Sequence, residues 1–241
     1  MLVAARTGAG AKSGSPTPAA YGGLRFTAEA DNSTVQLTAV GSAPAVTLVK
    51  SFDGVNWEDY TVGDVIELPS IGDFVYLAAG ESGNETFGSS ASNYHKFVIN
   101  GSVAASGDIT SLISFDLEHT TPGNFCYNRM FSGCTGLTRA PELPATTLAA
   151  SCYNRMFSGC TGLTSAPELP ATTLGNFCYQ FMFNGCTGIS LIKAHFTAWG
   201  TQTNKWVGNV PSTGTFYKPS ALPVEYGENR IPTGWTVMNI N

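Results

Sequence analysis

Residues 126–151 read CYNRMFSGCTGLTRAPELPATTLAAS, and residues 152–177 read CYNRMFSGCTGLTSAPELPATTLGNF. The two blocks abut and differ at four positions. A third copy opens at Cys178 as CYQFMFNGCTGISLIKAHF and then decays. A period of 26 residues falls in the range of stacked repeats, where one unit cannot bury its apolar face alone and must lean on the next. Such a stack supplies a scaffold and a surface, and it seldom carries chemistry.

Within one copy, Cys126, Met130 and Cys134 are spaced i, i+4 and i+8. That spacing predicts one face of a short helix or of 3₁₀ turns, ended by Gly133. Leu137 and the segment Ala140–Leu143 read as the strand side. Pro141 and Pro144 lack the N–H that a central ladder needs, so the strand is short, with Pro141 at its edge. Upstream, Leu117, Thr120, Thr121 and Gly123-Asn124-Phe125 match the phase of Leu169, Thr172, Thr173 and Gly175-Asn176-Phe177. They read as a partial leading copy that shields the first full coil. After Phe196 the repeat is lost. The tail (FTAW, GTFYKPSALP, IPTGWTVMNI) is aromatic and β-like, which suits a cap that buries Trp199, Trp235 or both.

Six cysteines suggest a disulfide set by parity. Their phase says otherwise. Cys126, Cys152 and Cys178 share one phase, and Cys134, Cys160 and Cys186 share another. Equal phases stack as columns, and a free cysteine behaves as a small apolar residue suited to them. The framework reading applies best to short secreted chains. No C-x₂-C pair is present and the spacing within a copy is eight, so zinc ligation is not indicated.

Residues 1–22 are rich in Gly, Ala, Ser and Pro and read as a flexible arm. From Leu24 to about Ala105 the pattern is strand, turn, strand. Leu24, Phe26 and Ala28 alternate with polar residues, as do Val35, Leu37 and Ala39, then Val46 and Leu48. Phe74–Leu77 and Tyr94–Ile99 add two more strands. Such spacing, with turn signals between, suggests a β-sandwich. Asp53-Gly54 is a turn dipeptide. Asp53, Asn56 and Glu58 do not follow the spacing of a calcium loop, and turn chemistry accounts for them.

The stretch YNRMFSGCTGLTRAPELP resembles the BspA-type leucine-rich repeats of bacterial surface proteins and the related MF-x-x-C-x-x-L repeats. The resemblance covers about residues 107–196. The SFDGVNW segment followed by a GDFVY strand looks like the β module that often precedes such repeats. The resemblance implies a β-rich chain in two parts: an antiparallel β-sandwich at 23–106 and a short leucine-rich-repeat solenoid at 107–199. Each 26-residue coil would hold a short strand and a short helical or 3₁₀ turn. Residues 200–241 would form a C-terminal β cap. It also implies a phage-encoded or cell-surface protein that binds other proteins or surfaces.

The net charge is −5, which argues against nucleic acid, since phosphate binding needs a basic face. No apolar run approaches the ~20 residues of a membrane span. The start is not a convincing signal peptide, its apolar stretch being only Met1–Ala5. His95, His119 and His195 lie in separate segments outside any metalloprotease motif, and neither a nucleophile-elbow serine nor a phosphate loop is present. Glu142 and Glu168 are a carboxylate pair of the kind glycosidases use, but repeat duplication creates them and Ala194 stands in their place in the third copy.

What the repeats offer is a ladder of exposed groups: Arg129 and Arg155, Arg139, Glu142 and Glu168, and a column of Tyr127, Tyr153 and Tyr179. Tyr and Arg are enriched at binding hot spots; the alternative is that the tyrosines pack between coils and the arginines are solvated. These residues suggest a non-enzymatic binding protein with no cofactor and no metal. Its arm and sandwich would attach it to protein partners in a larger, homo-oligomeric assembly. Its repeats would meet a host or cell-surface protein or glycan. A phage virion component is the expected setting, as a head fibre, decoration protein or tail-associated adhesin on the virion surface. A bacterial surface adhesin whose signal is not part of this chain is the first alternative. A carbohydrate-binding module, with coplanar aromatic rings on the sandwich, is the second.

Overall fold

A computed structural model describes residues 22–117 and 121–240. Most of the N-terminal arm, and His119 and Thr120, lie outside the described residues. The chain is rich in β-strand, with several sheets and none closed into a barrel.

The first part is built from β1 (Arg25–Ala28), β2 (Ser33–Val40), β3 (Leu48–Ser51), β4 (Glu58–Tyr60), β5 (Val65–Leu68), β6 (Phe74–Ala79), β7 (Tyr94–Asn100) and β8 (Val103–Ser106). One sheet runs β4-β3-β6-β1-β8 and the other β5-β2-β7, with these neighbours antiparallel. Alternation explains the register. Val35 and Leu37 of β2 are buried while Thr34, Gln36 and Thr38 are half-exposed, so a slip of one residue would turn the apolar set outward. The rings of Phe26 in β1 and Phe97 in β7 meet edge to face at 4.9 Å, joining the two sheets through one core. At the β3–β4 turn, the Asp53 carboxylate accepts the N–H groups of Val55 and Asn56 at 2.8 Å each. Those bonds hold it well below the usual carboxylate range, Asn56 contributing most.

The first sheet continues into the repeats. Strand β9 (Leu137–Arg139) adds to β8 in parallel. Further along come β10 (Thr147–Leu148) and β11 (Thr173–Leu174), paired in parallel one repeat apart. Strands β12 (Leu191–Lys193), β13 (Thr215–Lys218) and β14 (Thr236–Asn239) form a last parallel sheet.

The segment predicted as a short helix or 3₁₀ turns is a run of linked turns, and no continuous helix forms. The N–H groups of Cys126, Asn128, Met130, Ser132 and Cys134 bond back to the carbonyl three residues earlier. Those of Phe125, Tyr127, Arg129, Phe131 and Gly133 bond forward to Ala150, Cys152, Asn154, Met156 and Ser158, one copy on, at 2.8–3.1 Å. Ser151, Tyr153, Arg155, Phe157 and Gly159 do the same toward Asn176, Cys178, Gln180, Met182 and Asn184. The backbone is therefore satisfied alternately within a coil and between coils. Every fourth residue is left-handed: Phe125, Arg129 and Gly133 have φ of 57°, 59° and 79°, and the phase recurs at Ser151, Arg155 and Gly159. A helix cannot form through such residues. The i, i+4 spacing came from a four-residue period, not from 3.6.

Coils approach so closely that one phase requires glycine. A Cβ at Gly136 would lie 2.1 Å from the Gly101 carbonyl oxygen, and one at Gly162 would lie 2.4 Å from that of Thr135.

Two aromatic columns fill the interior. Tyr127, Tyr153 and Tyr179 stack at 5.7 and 6.3 Å, and Phe131, Phe157 and Phe183 at 5.5 and 5.8 Å. Each offset pair adds about 0.5–1.5 kcal/mol beyond burial. The first part of the chain supplies the leading end of both columns: Phe87 stacks on Tyr127 at 6.3 Å and Phe97 on Phe131 at 5.0 Å. The leading segment near 107–112 covers only the strand side, where Glu142 N–H bonds to Gly107 and Ile109 N–H to Glu142. Trp206 closes the far end against both Tyr179 and Phe183. Trp235 is buried, as expected of the tail, and Trp199 half-buried. Trp206, fully buried, is the larger contributor that the pattern did not single out.

All six cysteines are free and buried. Cys134, Cys160 and Cys186 donate their S–H to the carbonyls of Phe97, Phe131 and Phe157 at 3.0–3.1 Å. The thiol thus binds the first coil to β7 and each later coil to the preceding one. Burial pushes Cys126 up to about 11 and Cys134, Cys178 and Cys186 up to about 12. It pushes Cys152 and Cys160 well above the ordinary thiol value.

Candidate functional site

The repeats present two faces, and the predicted residues divide among these faces and the interior. Tyr127, Tyr153 and Tyr179 are buried and so do not belong to a recognition surface. This corrects the expectation for the tyrosine column. The reason is their phase: each tyrosine precedes a half-exposed or amide-bearing residue but shares the inward side of its turn with the neighbouring cysteine. The Tyr127 hydroxyl reaches the Ile109 carbonyl at 3.4 Å, while the Tyr153 hydroxyl is buried without a hydrogen-bond partner. Burial raises all three well above the ordinary phenol value.

On the strand side, Arg139, Glu142 and Glu168 are exposed. Glu168 accepts from Lys193 Nζ at 2.8 Å and from His195 Nε2 at 2.7 Å. These contacts lower its pKa, with Lys193 the larger cause and His195 next. A glycosidase acid needs the opposite shift, so this carboxylate is set up as an ion-pair partner. The sequence pattern does not mark Lys193 and His195 as site residues. Repeat phase carried the signal: Ala194 occupies the glutamate position of the third copy, and its two neighbours flank Glu168.

On the turn side, Arg129 and Arg155 are half-exposed and sit on adjacent coils, the N–H of Arg129 bonding to the Asn154 carbonyl at 2.8 Å. Their guanidinium carbons lie over aromatic rings, Arg129 at 5.5 Å from the Tyr94 centroid and Arg155 at 3.9 Å from that of Phe181. A cation over a ring face is held by the ring quadrupole. Burial, and then the charge of Arg129, lower the proton affinity of Arg155. The sequence marks Tyr94 only as a strand residue; its contact with Arg129 depends on how β7 meets the first coil.

On the outer face of the first sheet the rings are not coplanar. Trp57 and Phe115 meet at 74°, and Phe74 and Tyr76 at 78°. Arg25 lies over Phe74 at 4.0 Å. A flat sugar-stacking platform is not the geometry here. His95 is buried, with Nδ1 against the Phe87 carbonyl at 3.0 Å, and burial lowers its pKa. Among the described residues there is no group of three or more His, Cys, Asp or Glu side chains placed to hold a metal ion. No helix among them is long and apolar enough to cross a membrane.

The net charge conceals a division. Up to Glu118 the chain has thirteen acidic and five basic residues; after it there are four acidic and seven basic. The repeat half is therefore positive, at +3, and the first half −8. Comparison with known proteins finds no family model, curated protein or solved structure that matches the chain.

Proposed function

We propose that the chain is a non-enzymatic structural and binding protein. In this reading an N-terminal β-sandwich runs into a short leucine-rich-repeat solenoid of the BspA type, whose outer side is a recognition surface. The observation that carries it is the division of side chains within each coil. The repeat's sulfurs and its Tyr and Phe rings pack between coils, while Arg129, Arg155, Arg139, Glu142 and Glu168 reach solvent. A unit with its reactive groups turned inward is a scaffold, and its specificity lies in the charged groups outside.

The proposed setting is a phage virion, in homo-oligomeric copies, as a head fibre, decoration protein or tail-associated adhesin. Attachment is through the first part of the chain, and a host protein or glycan is met by the repeats. The resemblance of the repeats and the opposite charge of the two halves support that arrangement. The test is mass spectrometry of purified virions alongside binding of the recombinant chain to host cells. Peptides in the virion and saturable binding that falls with salt support the reading. Absence from virions together with recovery from the cell envelope would transfer it to a bacterial adhesin. Turnover of a substrate by the purified chain would overturn it.

A further inference from the structure

We infer that Arg129 and Arg155 form an oxyanion site whose ligand is the carboxylate of an acidic sugar. The inference rests on the binding reading above and supplies its ligand chemistry.

Four side chains stand in a row across successive elements: Tyr94, Arg129, Arg155 and Phe181. A ring lies against each guanidinium group, and such a contact leaves the in-plane N–H donors to be satisfied. Among the described residues neither arginine has a carboxylate partner, and Arg129 Nε is buried without any hydrogen-bond partner. The two cations on adjacent coils are thus without a counter-charge, and Arg129 is the second cause, after burial, of the lowered proton affinity of Arg155. An anion at the guanidinium edges would supply that charge and occupy the donors, which match a carboxylate in a bidentate fork.

The size of the site selects the ligand class. The row of cations is two long and ends at a ring on each side. A nucleic acid or polysulfate needs a longer basic track. One compact anion fits. Ser132 and Ser158, three residues along each turn, use their hydroxyl hydrogens on the carbonyls of Ser158 and Asn184. Their oxygens remain as acceptors for sugar hydroxyls.

The test is calorimetric or NMR titration of the full chain with sialyllactose and glucuronate. Neutral lactose, inorganic sulfate and tetraglutamate serve as comparators. Binding of both acidic sugars over lactose is expected. Arg129→Gln and Arg155→Gln should each weaken it at least tenfold and the double variant abolish it, while Lys50→Gln leaves it unchanged. Arg155→Lys, which keeps charge but loses the fork, should fall between wild type and Arg155→Gln, with all variants checked for native circular dichroism. Acidic sugars that bind no better than lactose, or equally well to the double variant, overturn the site. Sulfate or tetraglutamate binding without acidic-sugar binding overturns the sugar assignment. Host-cell binding that survives the double variant leaves the recognition reading standing and removes this site from it.

Discussion

Residues 178–185 and 202–209 follow the same path and share no residue in phase. Cys-Tyr-Gln-Phe-Met-Phe-Asn-Gly is succeeded by Gln-Thr-Asn-Lys-Trp-Val-Gly-Asn. Yet Tyr179, Phe181, Phe183 and Gly185 bond forward to Gln202, Asn204, Trp206 and Gly208 just as the earlier copies bond to theirs. The left-handed phase also persists, at Phe181 and Gly185 and then at Lys205 and Asn209, with φ of 55°, 78°, 50° and 58°. The path is therefore fixed by the backbone relay and the four-residue turn, and the interior needs only enough volume. In the cysteine-bearing copies that volume comes from two rings, a thioether and two thiols per coil. In the last coil one indole supplies most of it.

The most severe way to break the equivalence is to remove that indole. Trp206 touches Tyr179, Phe183, Phe196, Trp199 and Phe216, and its Nε1–H donates to the Arg230 carbonyl at 2.7 Å. Trp206→Ala should cost about 3–5 kcal/mol in urea unfolding, more than Met156→Ala inside the regular stack. An equal or smaller loss would mean that the last coil does not close the columns.

Next in size is the close approach. Gly162→Ala sets a methyl group against the Thr135 carbonyl, and the coils must separate. A loss of about 2–3 kcal/mol is expected, whereas Ala at position 227, which has nothing near its Cβ site, meets only the left-handed backbone penalty of about 1 kcal/mol. Similar losses at both positions would show that coil spacing is looser than drawn.

Alkali distinguishes the two regions chemically, because the thiols lie only in the three copies from Cys126 onward and not in the coil at 202–209. A thiol whose folded pKa is raised favours the folded state fully below the unfolded value and loses that contribution as pH climbs toward the folded one. With an ordinary thiol at 9.0 and folded values of about 11 for Cys126 and about 12 for Cys134, Cys178 and Cys186, the melting temperature should fall between pH 9 and 12. The fall should shrink in Cys126→Ala and Cys178→Ala. A fall unchanged by these substitutions assigns it to other groups, the buried tyrosines first.

The smallest effect has the opposite sign. Tyr153 buries a hydroxyl without a partner, and such a group costs about 1–3 kcal/mol. Tyr153→Phe should leave stability unchanged or raise it by about 1 kcal/mol, whereas Tyr127→Phe, which loses the bond to Ile109, should not gain. Destabilisation by Tyr153→Phe would reveal a partner for that hydroxyl.

Much of the first part was legible in the sequence, because β1, β2, β3, β6 and β7 are long or alternating enough to show a two-residue period. Strands β4, β5 and β8 were not: β4 is Glu-Asp-Tyr with one apolar residue, β5 carries an exposed Val65 that hides its alternation, and β8 is Val-Ala-Ala-Ser, with little side chain to alternate. The repeat boundaries were plain from Cys126 to Phe196, but the turn geometry was not. A four-residue period and a helical one coincide over nine residues, and only the left-handed φ at Arg129 separates them. The coil at 202–209 was invisible because its repetition is in the backbone. At the candidate site the charged ladder was legible. The inward direction of the tyrosines and the pairing of Tyr94 with Arg129 depend on how the first part docks onto the repeats, which no local pattern records.

The central claim is that neighbouring coils enclose the six thiols, unbridged, in one continuous interior. Alkylation of the native protein without reductant, read by intact mass before and after denaturation, tests it most directly. The account predicts no label on the native chain and six labels once it is unfolded. Rapid native labelling, or fewer than six sites on unfolding without reductant, would contradict it.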